Sequence, residues 1–413
     1  MVGNKKVAII GAGAAGCFCA INLKRFLPQS EVALYEANDR ALAKVVLTGG
    51  GRCNLTNTFN KVPSLSKVYP RGEKLLRNLF CSFNHKDTIS WFEKEDVKLY
   101  AQEDERVFPC SQDSMEVVNK LLRLVKNEGI ELHLLHKVSK ITQNENGYSV
   151  SFHSPKDKEV SADYIVVTAG GFPKEEMFSI FSPLNLKIEK PLPSLFTFNI
   201  DNPWCEKLMG ISVENVSISL AGTKFKSNGS LLFTHWGMSG PAILKLSSYA
   251  SRFLAENNYN GIISINWYGG TKENEVRERI IDTMEKYSQK LVTNIYPNFL
   301  TAKHWQYFLE KSNIPLTQRW GALNKTHINR LVAFLTADQY QIVGKSHFKE
   351  EFVTCGGIAL SNVNSKTLEA KEHPGLFFAG EILDIDAITG GFNLQAAWTT
   401  GFTVAQAIKR KTE

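Results

Sequence analysis

The chain has 413 residues, of which 43% are hydrophobic and 22% charged, which suits two or three globular domains and excludes a disordered or fibrous protein. Its formal net charge of +7 comes without any long block of like charges, so a solvated surface explains it better than a nucleic-acid-binding arm. The seven cysteines are scattered without CxxC spacing, which argues against a zinc site or a disulfide framework and favours a reducing, cytoplasmic compartment.

The N-terminal region is predicted to form a strand, a glycine-rich turn, a helix and a second strand. Val7–Ile10 is a short apolar run typical of a strand buried on both faces, and Ala14–Phe26 is the predicted helix. Glu31–Glu36 is the second strand. The apolar stretch Val7–Leu23 is too short and too rich in glycine to span a membrane, so we predict no membrane partner.

A G-x-G-x-x-G pattern at Gly11, Gly13 and Gly16 follows the first strand directly. These glycines permit a tight turn, close approach of a pyrophosphate to the backbone, and close packing of the helix on the strand. The start of the helix offers N–H groups with partial positive charge to the phosphates. Glu36 can accept hydrogen bonds from both ribose hydroxyls and disfavours a 2′-phosphate. The pattern predicts a dinucleotide site and disfavours NADP, but it does not distinguish FAD from NAD.

Two later glycine-rich segments favour FAD. The run LTGGGRCNLTN, Leu47–Asn57, permits either a plain loop or a backbone cradle for a flat or anionic ligand. Near the C terminus, a predicted strand, Leu376–Ala379, precedes Gly390 and Gly391, which open a predicted helix at Leu394–Lys409. The N–H groups and positive dipole end of that helix suit the negative charge at N1 and O2 of a reduced flavin.

The middle of the chain changes from alternating strands to helices. Four stretches between Leu195 and Trp267 are predicted as strands separated by Asn-Gly and Gly-Thr turns, namely FTFNI, VENVSISL, TKFKS and SLLFT. A helix is predicted to begin near Pro241. The stretch Lys272–Leu335 is predicted to be helical and amphipathic. The chain is predicted to return to the first domain around Val343–Thr354.

Five motifs of the sequence are specific enough to suggest a family, namely GAGAAG, GGGRCNLTN, LLFTHWGMSGPAIL, VTCGGI and FFAGEILDIDAITGGFNLQAAWTTG. They resemble motifs of the BaiN/YhiN-type flavoproteins, which are aminoacetone-oxidase-like or NAD(P)/FAD-dependent oxidoreductases. The resemblance extends from Val7 to about Ile408. It implies an α/β fold with a doubly wound, Rossmann-like FAD-binding domain, residues 1–192 and 345–413. It also implies a β-barrel-like insert, residues 193–270 and about 336–344, and a small helical insert, residues 271–335.

The resemblance also implies the cofactor-binding residues. The candidates are Gly11, Gly13, Ala14, Ala15, Gly16, Glu36, Ala37, Lys44, Gly49, Gly50, Gly51, Arg52, Cys53, Asn54, Thr56, Val138, Ala169, Gly170, Gly171, Gly380, Glu381, Asp384, Gly391, Phe392, Asn393 and Leu394. In this interpretation the glycine run lets the backbone approach FAD and Arg52 supplies positive charge. Turn capping is an equal alternative for Asn54 and Thr56.

Arg52, Cys53 and His235 are the catalytic candidates, and no metal ligands are predicted. Cys53 has no partner cysteine nearby in sequence, so packing against the cofactor is favoured over a redox thiol. For His235, a half-buried histidine with satisfied hydrogen bonds is favoured over a catalytic role. Thr354 is a further candidate neighbour of the flavin ring.

We therefore expect an FAD-dependent oxidoreductase that transfers hydride between the flavin and a small organic substrate or NAD(P)H. No second G-x-G-x-x-G follows a strand, so NAD(P)H is expected to bind transiently. A non-catalytic or sensor flavoprotein is the alternative, because the loop after Gly171 is shorter than in the resembling family. A flavin-dependent RNA-modifying enzyme is least favoured, and no nucleic-acid partner is expected, because clustered basic and aromatic residues are lacking.

Overall fold

The computed structural model describes residues 4–154, 156–345 and 353–413. They form two compact units, one ending at Pro193 and resuming at Val353, the other beginning at Ser194. The stretch predicted as a helical insert, residues 271–335, falls in the second unit together with the barrel strands. The predicted return of the chain near Val343–Thr354 includes residues 346–352, which lie outside the described residues.

The described chain contains both β-strands and α-helices. The strands are β1 Lys6–Ile10, β2 Glu31–Tyr35, β3 Thr56–Asn57, β4 Leu99–Ala101, β5 Arg106–Pro109, β6 Glu131–His133, β7 Val138–Asn144, β8 Gly147–Phe152, β9 Val160–Ala162, β10 Tyr164–Val167, β11 Ile188–Ser194, β12 Phe198–Ile200, β13 Ser212–Leu220, β14 Lys226–Thr234, β15 Gly237–Ser239, β16 Gly261–Asn266, β17 Asp338–Lys345, β18 Val353–Ile358 and β19 Leu376–Phe378. The α-helices are α1 Ala14–Phe26, α2 Ala43–Gly51, α3 Glu73–Leu79, α4 His85–Lys94, α5 Ser114–Asn127, α6 Pro203–Lys207, α7 Pro241–Tyr249, α8 Ser251–Glu256, α9 Glu273–Lys286, α10 Ala302–Lys311, α11 Lys325–Ala337 and α12 Phe392–Thr412.

A five-stranded parallel sheet organises the first unit, in the order β19-β10-β1-β2-β6. Its central strands are apolar and buried, as expected for a parallel sheet covered on both faces. The predicted helix Ala14–Phe26 is confirmed as α1, and the predicted doubly wound α/β class is confirmed. Two three-stranded antiparallel sheets, β3-β5-β4 and β7-β8-β9, accompany it.

The first and last α-helices of the first unit pack closely on each other. A Cβ at Gly401 in α12 would lie 2.7 Å from the carbonyl oxygen of Ala15 in α1, so only glycine permits this approach. Beside this contact, the ring of Phe18 packs at 5.3 Å from that of Trp398 and at 4.6 Å from that of Trp91. The two ends of the chain therefore build one hydrophobic core.

The second unit is a closed six-stranded barrel, in the order β12-β15-β14-β13-β16-β17, with α9, α10 and α11 in the same unit. The helix predicted near Pro241 is confirmed as α7. The predicted Asn-Gly turn is wrong, because Asn228 and Gly229 lie inside β14, where Gly229 pairs with Val216 of β13 beside a β-bulge. TKFKS and SLLFT therefore do not form two strands.

None of the helices, across residues 4–154, 156–345 and 353–413, is long and apolar enough to cross a bilayer.

Candidate functional site

The turn between β1 and α1 leaves the start of the helix open. Gly11 has a φ of 101° and its N–H donates to the carbonyl oxygen of Tyr35 at 2.8 Å. A Cβ at Gly16 would lie only 2.0 Å from the carbonyl oxygen of Gly11, which explains the third glycine of the pattern. Gly13 is the N-cap without a side-chain capping bond, and a Cβ there would meet no atom within 4 Å. The space beside Gly13 is therefore open, and the first N–H groups of α1 have no intrahelical acceptor, as an anion site requires.

The carboxylate of Glu36 is fixed beside this turn. Its Oε2 accepts from the N–H of Ala12 at 3.0 Å, and its Oε1 accepts from the N–H and Nδ2 of Asn38 at 2.9 and 2.8 Å. The N–H of His136 donates to the carbonyl oxygen of Glu36 at 2.8 Å, two residues before Val138 opens β7. Oε2, which accepts one hydrogen bond, keeps lone-pair capacity for a further donor, whereas Oε1 already accepts two.

The glycine run lies at the C-terminal end of α2, where the helix is broken by a kink. The helical conformation stops at Thr48, and Gly49, Gly50 and Gly51 have φ values of 61°, 70° and 84°. A Cβ at Gly50 or Gly51 would meet nothing within 4 Å, so this backbone faces open space. The N–H of Cys53 donates to the carbonyl oxygen of Thr48 at 2.9 Å and closes the turn. The sequence is compatible with either a plain loop or a backbone cradle for a ligand at this segment. The left-handed backbone conformation of three successive glycines favours the cradle.

Arg52 and Cys53, two of the catalytic candidates, pack against the protein. The guanidinium of Arg52 lies 4.6 Å from the centroid of the Phe108 ring, and its Nε donates to the carbonyl oxygen of Gly49 at 3.0 Å. The thiol of Cys53 is fully buried, and that burial raises its pKa to about 12. A protonated, inaccessible thiol favours the packing interpretation of Cys53 over a redox role.

The segment after the glycine run binds the start of α12. With its amide oriented to satisfy both groups, Asn54 accepts from the N–H of Gly391 at 3.0 Å and donates to the carbonyl oxygen of Thr56 at 3.1 Å. The hydroxyl of Thr56 donates to Oε1 of Gln395 at 2.6 Å, and Nδ2 of Asn57 donates to the carbonyl oxygen of Gly390 at 3.1 Å. The side chains of Asn54 and Thr56 are thus engaged within the protein, and the contact of Asn54 with the Thr56 carbonyl lies within the turn.

The predicted helix start at Leu394 lies two residues too late, because α12 begins at Phe392 with Gly391 as a left-handed N-cap, φ 87°. A Cβ on Gly391 would lie 2.3 Å from the carbonyl oxygen of Thr56. The first-turn N–H groups of Phe392, Asn393 and Leu394 have no intrahelical acceptor and supply the positive end of the helix dipole.

Glu381 joins three further candidate segments. Its Oε1 accepts from the N–H of Thr354 at 2.9 Å, and its Oε2 accepts from Nζ of Lys44 at 3.1 Å. A Cβ on Gly171 would lie 2.8 Å from Cβ of Thr354 and 2.9 Å from Oε1 of Glu381. The neighbouring residue, Gly380, has a φ of 76°, and a Cβ there would lie 3.0 Å from Cβ of Ala15 in α1. Most candidate residues of the first unit thus lie on one connected lining.

The remaining candidates occupy several places. Asp384 Oδ1 accepts from the N–H of Gly356 at 3.0 Å. Ala169 and Gly170 follow Thr168, the residue after β10, and Ala37 is exposed after β2. His235 belongs to the second unit, where it lies between β14 and β15 with its ring perpendicular to that of Trp236, 4.7 Å between centroids. The expectation of a half-buried histidine is wrong, because His235 is exposed.

Sequence reasoning missed a segment that contacts the loop before α12. Tyr69 donates its hydroxyl to the carbonyl oxygen of Phe392 at 2.9 Å, and Arg71 forms an ion pair with the buried Asp386. The run YPRG that contains Tyr69 and Arg71 matches no cofactor motif. Gly72, which adopts a φ of 80°, was the one available hint of a specific local geometry.

A family model described as HI0933-like protein Rossmann domain matches residues 5–407. The chain belongs to the HI0933-like family. It is 26% identical over 414 residues to the ribosomal RNA dihydrouridine synthase of Escherichia coli K12, with 96% of each chain covered. It is 22% identical over 415 residues to the 3-dehydro-bile acid delta(4,6)-reductase of Clostridium scindens, with 97% of this chain and 98% of the relative covered.

The fold is similar to that of a solved 3-ketosteroid delta1-dehydrogenase from Sterolibacterium denitrificans. The TM-score is 0.50 at 10% identity, and the match covers 99% of this chain and 100% of the other. The predicted resemblance to BaiN/YhiN-type flavoproteins is confirmed by the family match, and the chain is a flavoprotein of the oxidoreductase class.

The residues present fit FAD. The open start of α1, the left-handed glycines and the start of α12 offer backbone N–H groups along one connected lining, and Glu36 stands where a ribose is expected. FAD is therefore supported as the cofactor by both the family and the lining.

Proposed function

We propose that the protein holds FAD in the first unit and reduces a carbon–carbon double bond conjugated to a carbonyl group. The observations that carry the proposal are the two helix starts of the first unit, those of α1 and α12, and the contacts beside each of them. Gly380 lies against Ala15 at the start of α1, and Asn54 binds Gly391 at the start of α12. Two positive dipole ends suit a ligand that carries a pyrophosphate at one end and an anionic ring at the other.

Each part of the lining has a role in this proposal. The N–H groups of Ala14 and Ala15 would bind the pyrophosphate, and Glu36 the ribose hydroxyls. The backbone at Gly49–Gly51 would lie against the cofactor, because a ligand can approach glycine without a Cβ. FAD, when bound, supplies the hydride chemistry. The buried Cys53 takes no part in a thiol–disulfide exchange.

The relatives support a substrate class. Dihydrouridine forms from uridine by reduction of the C5–C6 double bond, which is conjugated to the C4 carbonyl. A delta(4,6)-reductase of a 3-dehydro-bile acid acts on double bonds conjugated to a carbonyl as well. In either substrate one hydride and one proton are added, and NAD(P)H is the proposed donor of the two electrons.

Uridine in ribosomal RNA is our first candidate substrate, since the relative that carries this name has the higher identity of the two. This departs from the sequence-based expectation of a small-molecule substrate and no nucleic acid. The second candidate is a small, carbonyl-conjugated alkene such as a 3-dehydro-bile acid, supported by the match to the Clostridium scindens relative.

The cofactor and its donor are tested by visible absorption of the purified, dialysed protein, followed anaerobically on adding NADPH or NADH. Bleaching of flavin bands is expected. Flavin bands that persist with both donors would contradict NAD(P)H as the reductant. No flavin band, even after reconstitution with FAD, would contradict the cofactor proposal itself.

The substrate is tested by counting dihydrouridine in ribosomal RNA. Unmodified ribosomal RNA is incubated with the holoenzyme and NADPH, digested and analysed by mass spectrometry. Gly13→Ala, which is expected to bind FAD more weakly, serves as the variant of reduced activity, and Cys81→Ser, at an exposed position, as the active control. Dihydrouridine formation would support ribosomal RNA as the substrate. Turnover of a 3-dehydro-bile acid without dihydrouridine formation would instead support the second candidate substrate.

A further inference from the structure

A short segment of the first unit, residues 68–72, runs beside the loop Asp384–Phe392 that leads into α12. We call this segment the strap. Its first residue, Val68, accepts from the N–H of Ile388 at 2.9 Å. Near its other end, Arg71 and Asp386 form an antiparallel β-bridge. The strap therefore contacts the backbone of the loop at two separate points.

Two buried side chains of the strap strengthen these contacts. The hydroxyl of Tyr69, which is 1% exposed, donates to the carbonyl oxygen of Phe392, the first residue of α12. The guanidinium of Arg71 forms two parallel contacts with Asp386, Nε to Oδ1 and Nη2 to Oδ2. The Asp386 side chain is fully buried and that of Arg71 is 10% exposed. Parallel contacts of this kind fix orientation as well as distance.

The loop and the start of α12 form one connected piece. Oδ1 of Asn393 accepts from the N–H of Ala387 at 2.9 Å, and its Nδ2 donates to the carbonyl oxygen of Ala387 at 3.0 Å. A displacement of the loop would therefore carry the first turn of α12 with it. That turn supplies the N–H groups assigned above to the flavin ring.

A buried ion pair is an expensive way to hold a loop, because both charges lose their hydration. Apolar side chains would bury the same segment without that cost. What the ion pair and the tyrosine hydroxyl add is a defined orientation of the loop relative to the strap. That orientation matters where backbone N–H groups must point at a ligand.

We propose that Tyr69 and Arg71 are positioning residues for the cofactor. They fix the start of α12 relative to the rest of the FAD lining, without contacting FAD themselves. This inference rests on the proposed binding of FAD in the first unit.

The test compares Tyr69→Phe with a matched control, Tyr148→Phe. Tyr148 is also 1% exposed in the same unit, and its hydroxyl donates to the carbonyl oxygen of Pro374 at 3.0 Å. Each substitution removes one hydroxyl-to-carbonyl hydrogen bond of a buried tyrosine, and the bond of Tyr148 is itself part-buried, so a loss of stability is expected in both apo-proteins. Only Tyr69→Phe is expected to weaken FAD binding, by about 2- to 10-fold in titrations of FAD fluorescence.

Hydrogen exchange of the apo-proteins gives a readout that does not depend on FAD. Tyr69→Phe is expected to accelerate exchange in peptides covering Ala387–Gln395, and Tyr148→Phe is not. Equal FAD affinity of Tyr69→Phe and wild type, with unchanged exchange in this region, would overturn the inference while leaving the proposed function intact. A wild-type protein that binds no FAD would overturn the proposed function, and exchange would still report on the strap.

Arg71 is tested by a pair of variants. Arg71→Lys keeps the charge and loses the parallel contacts, whereas Arg71→Met leaves the carboxylate of Asp386 without its cation. We expect FAD affinity to fall in the order wild type, Arg71→Lys, Arg71→Met. Wild-type affinity in a folded Arg71→Met variant would contradict the role of Arg71, and if that variant does not fold, Arg71→Lys and Tyr69→Phe decide.

Discussion

Two substitutions at the start of α1, Gly16→Ala and Gly13→Ala, are expected to distinguish the role of glycine in packing from its role in binding the cofactor. At Gly16 a Cβ would lie 2.0 Å from the carbonyl oxygen of Gly11 and 2.6 Å from Oγ1 of Thr168, whereas ordinary contact begins at 3.4 Å. The start of α1 must therefore move away from the turn by more than 1 Å. Overpacking of this kind costs about 1–3 kcal/mol.

The two variants are expected to differ in the absence of FAD. In a unit of about 250 residues, the cost at Gly16 lowers Tm by about 2–12 °C. Gly13 has a φ of −84° and open space around its Cβ position, so alanine costs less than about 1 kcal/mol as an N-cap. That open space is where we place the pyrophosphate. Gly13→Ala is therefore expected to weaken FAD binding by about 10-fold or more, through the loss of charge-assisted hydrogen bonds.

Both effects are measured on the same preparations. Thermal unfolding of each apo-protein gives Tm, and titration with FAD gives the affinity. Wild-type affinity in Gly13→Ala would refute the placement of the pyrophosphate at the start of α1. An unchanged Tm in apo Gly16→Ala would refute the packing argument, and a large loss of Tm in apo Gly13→Ala would show that the two effects are not separable.

Three further predictions concern buried groups. In the native protein at pH 8, iodoacetamide is expected to alkylate the exposed Cys81 and not Cys53, because burial raises the pKa of Cys53 to about 12. Peptide mapping measures the labelling of both cysteines, and a labelled Cys53 would contradict its burial. The imidazole of His304 is buried without a hydrogen-bond partner among the described residues, and burial lowers its pKa to about 3. The folded-state pKa of His304 lies below the unfolded value of about 6.5. The free energy of unfolding is therefore expected to fall by up to about 1.4 kcal/mol per pH unit as pH decreases from the unfolded pKa towards the folded one. Urea titrations at pH 7 and pH 5 should show a smaller change of this free energy with pH in His304→Leu than in wild type. Lys311→Met leaves the carboxylate of Asp338 buried without its cation, so urea unfolding is expected to show a loss of about 3 kcal/mol, and a loss below about 1 kcal/mol would contradict a stabilising pair.

Local chemistry made the first part of the site predictable. The conformation needed at Gly11 and the close packing at Gly16 depend on residues of the β1–α1 turn and on the adjacent β10 end, so the G-x-G-x-x-G pattern reports them directly. The bounds of α1 follow for the same reason. The Asn-Gly pair at Asn228 and Gly229 shows the limit of such reasoning, because pairing with β13 keeps it inside a strand. There tertiary pairing overrides a local turn preference.

The strap was not predictable because its contacts join distant parts of the chain. Arg71 and Asp386 are separated by 315 positions, and Tyr69 and Phe392 by 323. No spacing rule relates such residues, and a buried arginine cannot be distinguished from a surface arginine by composition. Only the fold, which brings residues 68–72 beside the loop before α12, gives Arg71 its partner.

The polar side chains of the GGGRCNLTN segment explain why the substrate is hard to infer from sequence. Asn54 and Thr56 form hydrogen bonds with Gly391 and Gln395, respectively, and Arg52 lies over the ring of Phe108. The ligand is thus left mainly with backbone groups, whose positions depend on the glycines and not on side-chain identity. A lining of this kind specifies a cofactor through its shape and leaves substrate choice to residues outside the motifs. The family match accordingly establishes a flavoprotein oxidoreductase, and the turnover experiment discriminates between RNA and a small molecule as its substrate.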